Sequence, residues 1–289
     1  MKNNFINKHK NIFNITEFIK IAFNEDIGNG DHTTLATIPE KTKGKMCLYV
    51  KDDGIIAGIE AAKEIYKIYP ATFKLKTYLK DGDKVKKGQI AFEVEGNSRD
   101  LLTTERLVLN IMQRMSGIAT HTDKLMEFCK GTKAKVIDTR KTTPGFRFFE
   151  KWAVVIGGGA NHRYGLFDMI LIKDNHVDFA GGIDQVLNDV YNYQKNKKIK
   201  LKVELEVRNI NDIKIALSNG KLDRILLDNF SISDTKKAVK LINGKVEVES
   251  SGGITSKTIA NYAKAGVDYI SVGALTHHVK SLDLSLKAK

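Results

Sequence analysis

From about residue 136 onward, short apolar runs recur with helical patterns between them: KVIDTR, DMILIKDN, KVELEVRN, RILLDNF, KVEVESSGG and DYISVGA. Strands that alternate with helices build βαβ units and a parallel sheet. The runs are rich in β-branched residues and read as apolar on both faces, the pattern of strands covered by helices outside and packed within a barrel inside. Six such runs, rather than eight, predict an incomplete parallel α/β barrel. Polar or glycine residues follow each run: Arg140, Lys173, Glu206, Asp228, Ser250-Ser251-Gly252-Gly253 and Gly273. In α/β barrels the active site is built at that end of the strands.

Residues 1 to about 116 follow another pattern. A helical start, ITEFIKIAFNED, gives way to strands separated by the turns KDDG, KDGDKVKKG and EGN. This predicts an N-terminal α/β sandwich domain of antiparallel strands over 1–116, joined by the tail 279–289, with the α/β barrel domain over 117–278, so that the whole chain is α/β plus α+β in class. EDIGNGDHTT, at 25–34, reads as a helix end, a glycine turn and a strand start. TERLVLNIMQRMSGIAT, at 104–120, has apolar residues at helical spacing and predicts the helix that joins the domains. YLKDGDKVKKGQIAFEVEG resembles the hammerhead of biotinyl and lipoyl modules but lacks their exposed carrier-lysine turn, so a structural sandwich is expected there.

With 289 residues and 42% hydrophobic content, the chain can bury a large core. Its first 14 residues are polar and rich in Asn and Lys, and no segment offers about 18 apolar residues in succession, so a soluble cytoplasmic protein without membrane contact is expected. Cys47 and Cys129 lie far apart and outside metal-ligand spacing, which argues against a disulfide framework or a zinc site. The net charge of +13 suits nucleic acid, an anionic surface or small anionic substrates. Much of the excess is Lys scattered through segments such as YNYQKNKKIKLK, and no RNA-recognition or zinc-finger motif accompanies it, so no nucleic-acid partner is expected.

The candidate chemistry is concentrated in residues 138–176. Arg140, Lys141, His162, Arg163 and Lys173 each adjoin a strand-like or glycine-rich segment and can converge on one pocket. Guanidinium forks and mobile lysines suit a substrate with both carboxylates and phosphates. SSGGI and SVGALT end the last two strands and expose main-chain N–H groups where barrels commonly hold phosphate. Glu206 and Asp228 end consecutive strands and can hold Mg²⁺ or accept from ribose hydroxyls, with Glu204 on the same strand face placed to share the task. His277 and His278, in the THH turn, are placed to close over the phosphate loop.

DTRKTTPG, EKWAV, GGGANHR and LIKDNH, in this order and spacing, resemble the core of the quinolinate phosphoribosyltransferases. EDIGNGDHTT, TERLVLNIMQRMSGIAT, VELEVRN, LLDNF, ESSGGI and SVGALTH extend the resemblance over nearly the whole chain, with no departure at the pocket positions. The resemblance implies transfer of phosphoribosyl from phosphoribosyl pyrophosphate to quinolinate with decarboxylation, giving nicotinate mononucleotide for NAD biosynthesis and using Mg²⁺. It assigns Arg140, His162, Arg163 and Lys173 to the quinolinate carboxylates and nearby phosphates, and Lys141 to the pyrophosphate. Thr139 joins the substrate-binding set, Glu206 and Asp228 go to the ribose and its metal, and Ser251, Gly252, Gly253 and Gly273 go to the phosphoribosyl end. Arg106 would reach a neighbouring subunit's site, which implies a homodimer or larger assembly. The competing readings are a nicotinate phosphoribosyltransferase, a molybdenum-transport-associated relative of the same fold, and a non-catalytic anion- or nucleic-acid-binding module.

Overall fold

The computed structural model describes residues 4–289. Its strands, in chain order, are β1 (Lys43–Val50), β2 (Gly54–Ile55), β3 (Lys74–Thr77), β4 (Lys84–Val85), β5 (Ile90–Asn97), β6 (Lys135–Ile137), β7 (Ile170–Ile172), β8 (Val203–Val207), β9 (Arg224–Asp228), β10 (Glu247–Ser251), β11 (Tyr269–Ser271) and β12 (Leu284–Ala288). The chain forms two compact units, one drawn from residues up to Asp123, Thr143–Gly158 and His278–Lys289, the other from Lys124–Thr142 and Gly159–His277.

The first unit carries an antiparallel sheet in the order β12-β1-β5-β3 and a small β2-β4 ladder. Over this sheet the helix Ile59–Ile68 buries Ile59, Ala61, Ala62, Ile65 and Tyr66, with the Tyr66 ring edge-on to Phe92 of β5. The helix Ser98–Phe128 runs through 104–120, as its apolar spacing predicts. Residues 143–158 contribute the helix Arg147–Ile156, whose Phe148, Phe149 and Trp152 are buried; Phe13 stacks on Phe148. EDIGNGDHTT departs from expectation in its second half. The helix Ile15–Ile27 ends at Gly28 as predicted, but a helix, His32–Thr37, follows instead of a strand. Asp31 causes the difference: its side chain accepts from the Thr34 N–H and caps the new helix start.

In the second unit six parallel strands follow the order β6-β11-β10-β9-β8-β7. β6 and β7 are consecutive in the chain but stand at opposite ends of this order, so the barrel is open between them; Ile137 of β6 bridges Ala160 there. Helices Ile183–Lys197, Ile210–Asn219 and Ile232–Ile242 follow β7, β8 and β9 and pack on one another in succession.

The expectation of two apolar faces fails for the inner one. Strand alternation sends Val203, Leu205, Val207, Ile225 and Leu227 to the helix side, and places Glu204, Glu206, Arg224, Asp228, Glu247 and Glu249 on the other. The inner face is therefore partly ionic, and Arg224 is what permits it: its guanidinium bonds Glu247 and Glu249 at 3.0 Å each. Cys47 and Cys129 are free, buried thiols.

Candidate active site

Every expected pocket residue except Arg106 lies in the second unit; all of these but His162 and Arg163 stand on or just after the carboxyl ends of β6–β11, and those two follow Ala160, which bridges Ile137 of β6. Arg106 is an exposed residue of the helix Ser98–Phe128 in the first unit.

After β6, the Thr139 hydroxyl accepts the Lys141 N–H at 3.0 Å and shapes the turn. The Lys141 carbonyl then accepts from the Thr276 hydroxyl at 2.6 Å, which ties this turn to the one after β11. A methyl group added at Gly273 would stand 3.2 Å from Cδ of Lys141 and 3.1 Å from Nε2 of His277. The lysine thus runs alongside the glycine turn, and any side chain there would require Lys141 and His277 to give way by a few tenths of an ångström.

After β8 and β9, Glu206 and Asp228 are near enough to repel. Burial and then the Asp228 charge raise the Glu206 pKa, while Lys173 acts against both. Lys173 precedes the helix Asp174–Ala180, and its N–H donates to Nδ1 of His176 at 3.0 Å. Asp228 Oδ2 accepts from the Asn229 side chain at 2.8 Å, and Asn229 N–H bonds the Ser251 carbonyl at 3.0 Å. Asn229 adopts a left-handed φ of 54°, and Gly252, at φ 94°, packs on its side chain. Carboxylate, asparagine and glycine turn form one unit. Two half-shielded carboxylates beside this turn offer the hard oxygen donors that Mg²⁺ prefers.

Arg163 and Arg140 sit close enough that, after burial, the Arg140 charge is what most lowers the Arg163 pKa. Arg163 Nη1 also donates to the Met169 carbonyl at 3.3 Å.

His162 is placed more deeply than expected. Its Nε2 lies 2.9 Å from Glu204 Oε2 and 3.6 Å from Glu249 Oε2, its Nδ1 accepts the Arg163 N–H at 2.7 Å, and its own N–H donates to Asp138 at 3.0 Å. Glu204 likewise belongs to the barrel interior, fully buried, instead of sharing the mouth with Glu206. Asp138, Asn229, Arg224 and Glu249 were missed in the sequence. Only the alternation of charges in RILLD and VEVES, read as one inward face, could have singled out Arg224 and Glu249.

Glu249 is held far above the usual carboxylate range. Burial, then the adjoining Glu204, push it up to about 8. The folded state therefore holds a proton that the unfolded chain, near 4.5, releases, and the associated stability is complete below 4.5 and lost as pH rises through 8. Glu249→Gln mimics the protonated acid. Its melting temperature should match the parent near pH 4.5 and pull ahead as pH rises toward 8, by an advantage on the order of 2 to 4 kcal/mol. Calorimetric melts across that range measure the gap.

A parallel barrel that gathers guanidinium groups, lysines, a carboxylate pair and glycine turns at the carboxyl ends of its strands defines an enzyme for polyanionic substrates. Models of the quinolinate phosphoribosyl transferase N-terminal and C-terminal domains match residues 31–116 and 118–287. The carboxylating nicotinate-nucleotide pyrophosphorylase of Arabidopsis thaliana, chloroplastic by name, is 44% identical over 95% of this chain and 83% of its own. A probable enzyme of the same name from Bacillus subtilis is 37% identical over 96% and 94%. The solved structure of the Francisella tularensis nicotinate-nucleotide pyrophosphorylase superposes with a TM-score of 0.89 at 39% identity, covering 95% of this chain and 96% of that one. This chain belongs to the quinolinate phosphoribosyltransferase family.

Proposed function

We propose that the protein transfers phosphoribosyl from phosphoribosyl pyrophosphate to quinolinate, releasing pyrophosphate and CO₂ and leaving nicotinate mononucleotide for NAD synthesis. The observation that carries this reading is the Arg140–Arg163 pair: a half-buried Arg163 whose pKa is lowered by burial and by the neighbouring Arg140 charge calls for an anion between the two guanidiniums. Family membership supplies which anion.

Arg140 and Arg163 take the quinolinate carboxylates, with Lys173 between that end and the carboxylate pair. The ring nitrogen attacks the anomeric carbon as the bond to pyrophosphate breaks. Lys141, backed by Gly273, neutralises the departing pyrophosphate, and Ser251, Gly252 and Gly253 receive the 5′-phosphate on main-chain N–H groups. Glu206 and Asp228 accept from the ribose hydroxyls and favour the positive charge on the sugar. The same two carboxylates would hold Mg²⁺, which when bound adds positive charge against the pyrophosphate oxygens. Once alkylated, the pyridinium takes the electron pair freed by CO₂, and a proton from water completes the ring.

Purified protein given quinolinate, phosphoribosyl pyrophosphate and Mg²⁺ should yield nicotinate mononucleotide and CO₂ in equal amounts. Product from nicotinate alone, without CO₂, would overturn the dicarboxylate assignment; silence when Mg²⁺ is restored after chelation would overturn the metal.

The reading includes a homodimer or larger assembly in which Arg106 enters the neighbour's site. Its exposure on a long helix supports this. Arg106→Ala and Lys141→Ala, each nearly inactive alone, should regain up to about a quarter of parent activity when unfolded and refolded together, because one site in a mixed dimer escapes both changes. Activity unchanged on mixing argues for self-contained sites. No helix among the described residues is long and apolar enough to cross a membrane. Cytoplasmic residence is part of the proposal, and fractionation against cytosolic and organellar markers tests it.

A further inference from the structure

Beneath the mouth of the barrel lies a buried ionic cluster that the chemistry above leaves without a task. Glu204 and Glu249 are fully buried and Arg224 nearly so. Arg224 Nη1 bonds Glu249 Oε2 at 3.0 Å and stands 4.0 Å from Glu204 Oε1. Its guanidinium lies over the Tyr269 ring, 4.0 Å from the centroid, and its other edge holds Glu247. Neither Glu204 oxygen nor Glu249 Oε1 completes a well-aligned hydrogen bond. Buried acids so loosely satisfied beside one guanidinium contribute little stability, and similar apolar groups often do as well or better. The arrangement is better explained by what it orients.

What it orients is His162. Nδ1 accepts the Arg163 N–H, so a neutral ring carries its hydrogen on Nε2, the atom that faces Glu204 at 2.9 Å and Glu249 at 3.6 Å. His162, Glu204 and Glu249 bring their donor atoms within 4.8 Å of one another, close enough for a metal ion. This tautomer leaves no lone pair on Nε2 for a metal, and Arg224 already supplies the cation. The ring instead points its N–H into the acidic pair and offers Nδ1 to the main chain of Arg163. The His162 N–H and the Asn161 side chain grip Asp138 from the other side, at 3.0 and 2.5 Å.

We infer that Glu204, Glu249 and Arg224 are positioning residues for the quinolinate end of the pocket: they lock the His162 ring, and His162 fixes the main chain from which Arg163 reaches the substrate. This rests on the substrate assignment proposed above. Arg163 has a charged task on one side and a buried, rigid support on the other.

The test uses Glu204→Leu, Glu204→Gln and Arg224→Met in the full chain. Three quantities are read: calorimetric affinities for quinolinate and for phosphoribosyl pyrophosphate, melting temperature, and ¹⁵N shifts of the His162 ring. Glu204→Leu and Arg224→Met should each weaken quinolinate by about ten- to a hundredfold, as loss of a supporting partner does, and leave phosphoribosyl pyrophosphate within about twofold. Glu204→Gln keeps an acceptor opposite Nε2 and should restore most of the quinolinate affinity. The ring should carry its hydrogen on Nε2 in the parent and in Glu204→Gln, and lose that single form in Glu204→Leu. Unchanged quinolinate affinity in both apolar variants overturns the inference. So does an equal weakening of both substrates alongside a lower melting temperature, the mark of general damage. Should the parent itself not bind quinolinate, the functional reading fails. The His162 tautomer then decides the relay alone: a single Nε2–H form that survives Glu204→Leu overturns it, and one that is lost upholds it.

Discussion

Gly252→Ala is expected to lower kcat/KM for phosphoribosyl pyrophosphate by about a hundredfold and to reduce stability by about 2 kcal/mol. Two independent effects combine. Gly252 has φ 94°, a region in which an L side chain is strained by roughly 1 to 3 kcal/mol. Its new methyl group would also run into the Asn229 side-chain oxygen and come within 2.9 Å of the Asn229 main-chain nitrogen. That nitrogen donates to the Ser251 carbonyl, and the Asn229 amide bonds Asp228. Relief of the collision therefore displaces Ser251 and Asp228 together, the residues proposed for the phosphate turn and the ribose. Gly253→Ala is the informative contrast, because its added methyl meets nothing within 4 Å and adds only the strain of φ 57°. Steady-state kinetics with each substrate varied separately, together with thermal melts, measure both. Equal, small losses in the two variants would show that backbone strain alone matters and that the Asn229 contact does not.

The legible part of this chain was its periodicity. All six apolar runs after residue 136 became strands of the parallel sheet, since β-branched runs between amphipathic helices have few other ways to bury themselves. The chemistry at their carboxyl ends was legible for a related reason: a charge or glycine just past a buried strand has little packing purpose there. What failed was inference about a face. VELEV and VEVES each mix valine and glutamate, and a run of that kind reads as apolar until register shows every glutamate on one side. Arg224 turns the mixture into an ion-paired interior, and nothing local to RILLD announces a partner in VEVES about 25 residues on. Asp31 gave a milder failure: in NGDHTT a cap and a turn have the same composition, and the Thr34 N–H decided for a helix.

Arg163→Met is expected to cost quinolinate more than any other single change, about a thousandfold in kcat/KM, and to leave KM for phosphoribosyl pyrophosphate within a few fold. Arg163 is half-buried beside another guanidinium, so its charge is unfavourable in the free protein. Burial and Arg140 lower its pKa, and Glu204 and Asp168 offset them only in part. A dicarboxylate relieves this repulsion on entry, so the interaction is worth more than that of a well-paired surface arginine. The same reasoning predicts that Arg163→Met melts no lower than the parent and gains slightly, since the substitution removes an unfavourable charge along with a ligand. Arg163→Lys separates charge from shape: the point charge remains but the planar fork is lost, and an intermediate loss of about ten- to thirtyfold is expected. Discrimination supplies the sharpest reading. If Arg163 holds the carboxylate that leaves as CO₂ or its neighbour, the methionine variant should bind quinolinate and nicotinate with nearly equal weakness, whereas the parent prefers the dicarboxylate. If KM for phosphoribosyl pyrophosphate rises instead and quinolinate is untouched, Arg163 serves the phosphates and the dicarboxylate end must be built around Arg140 and Lys173.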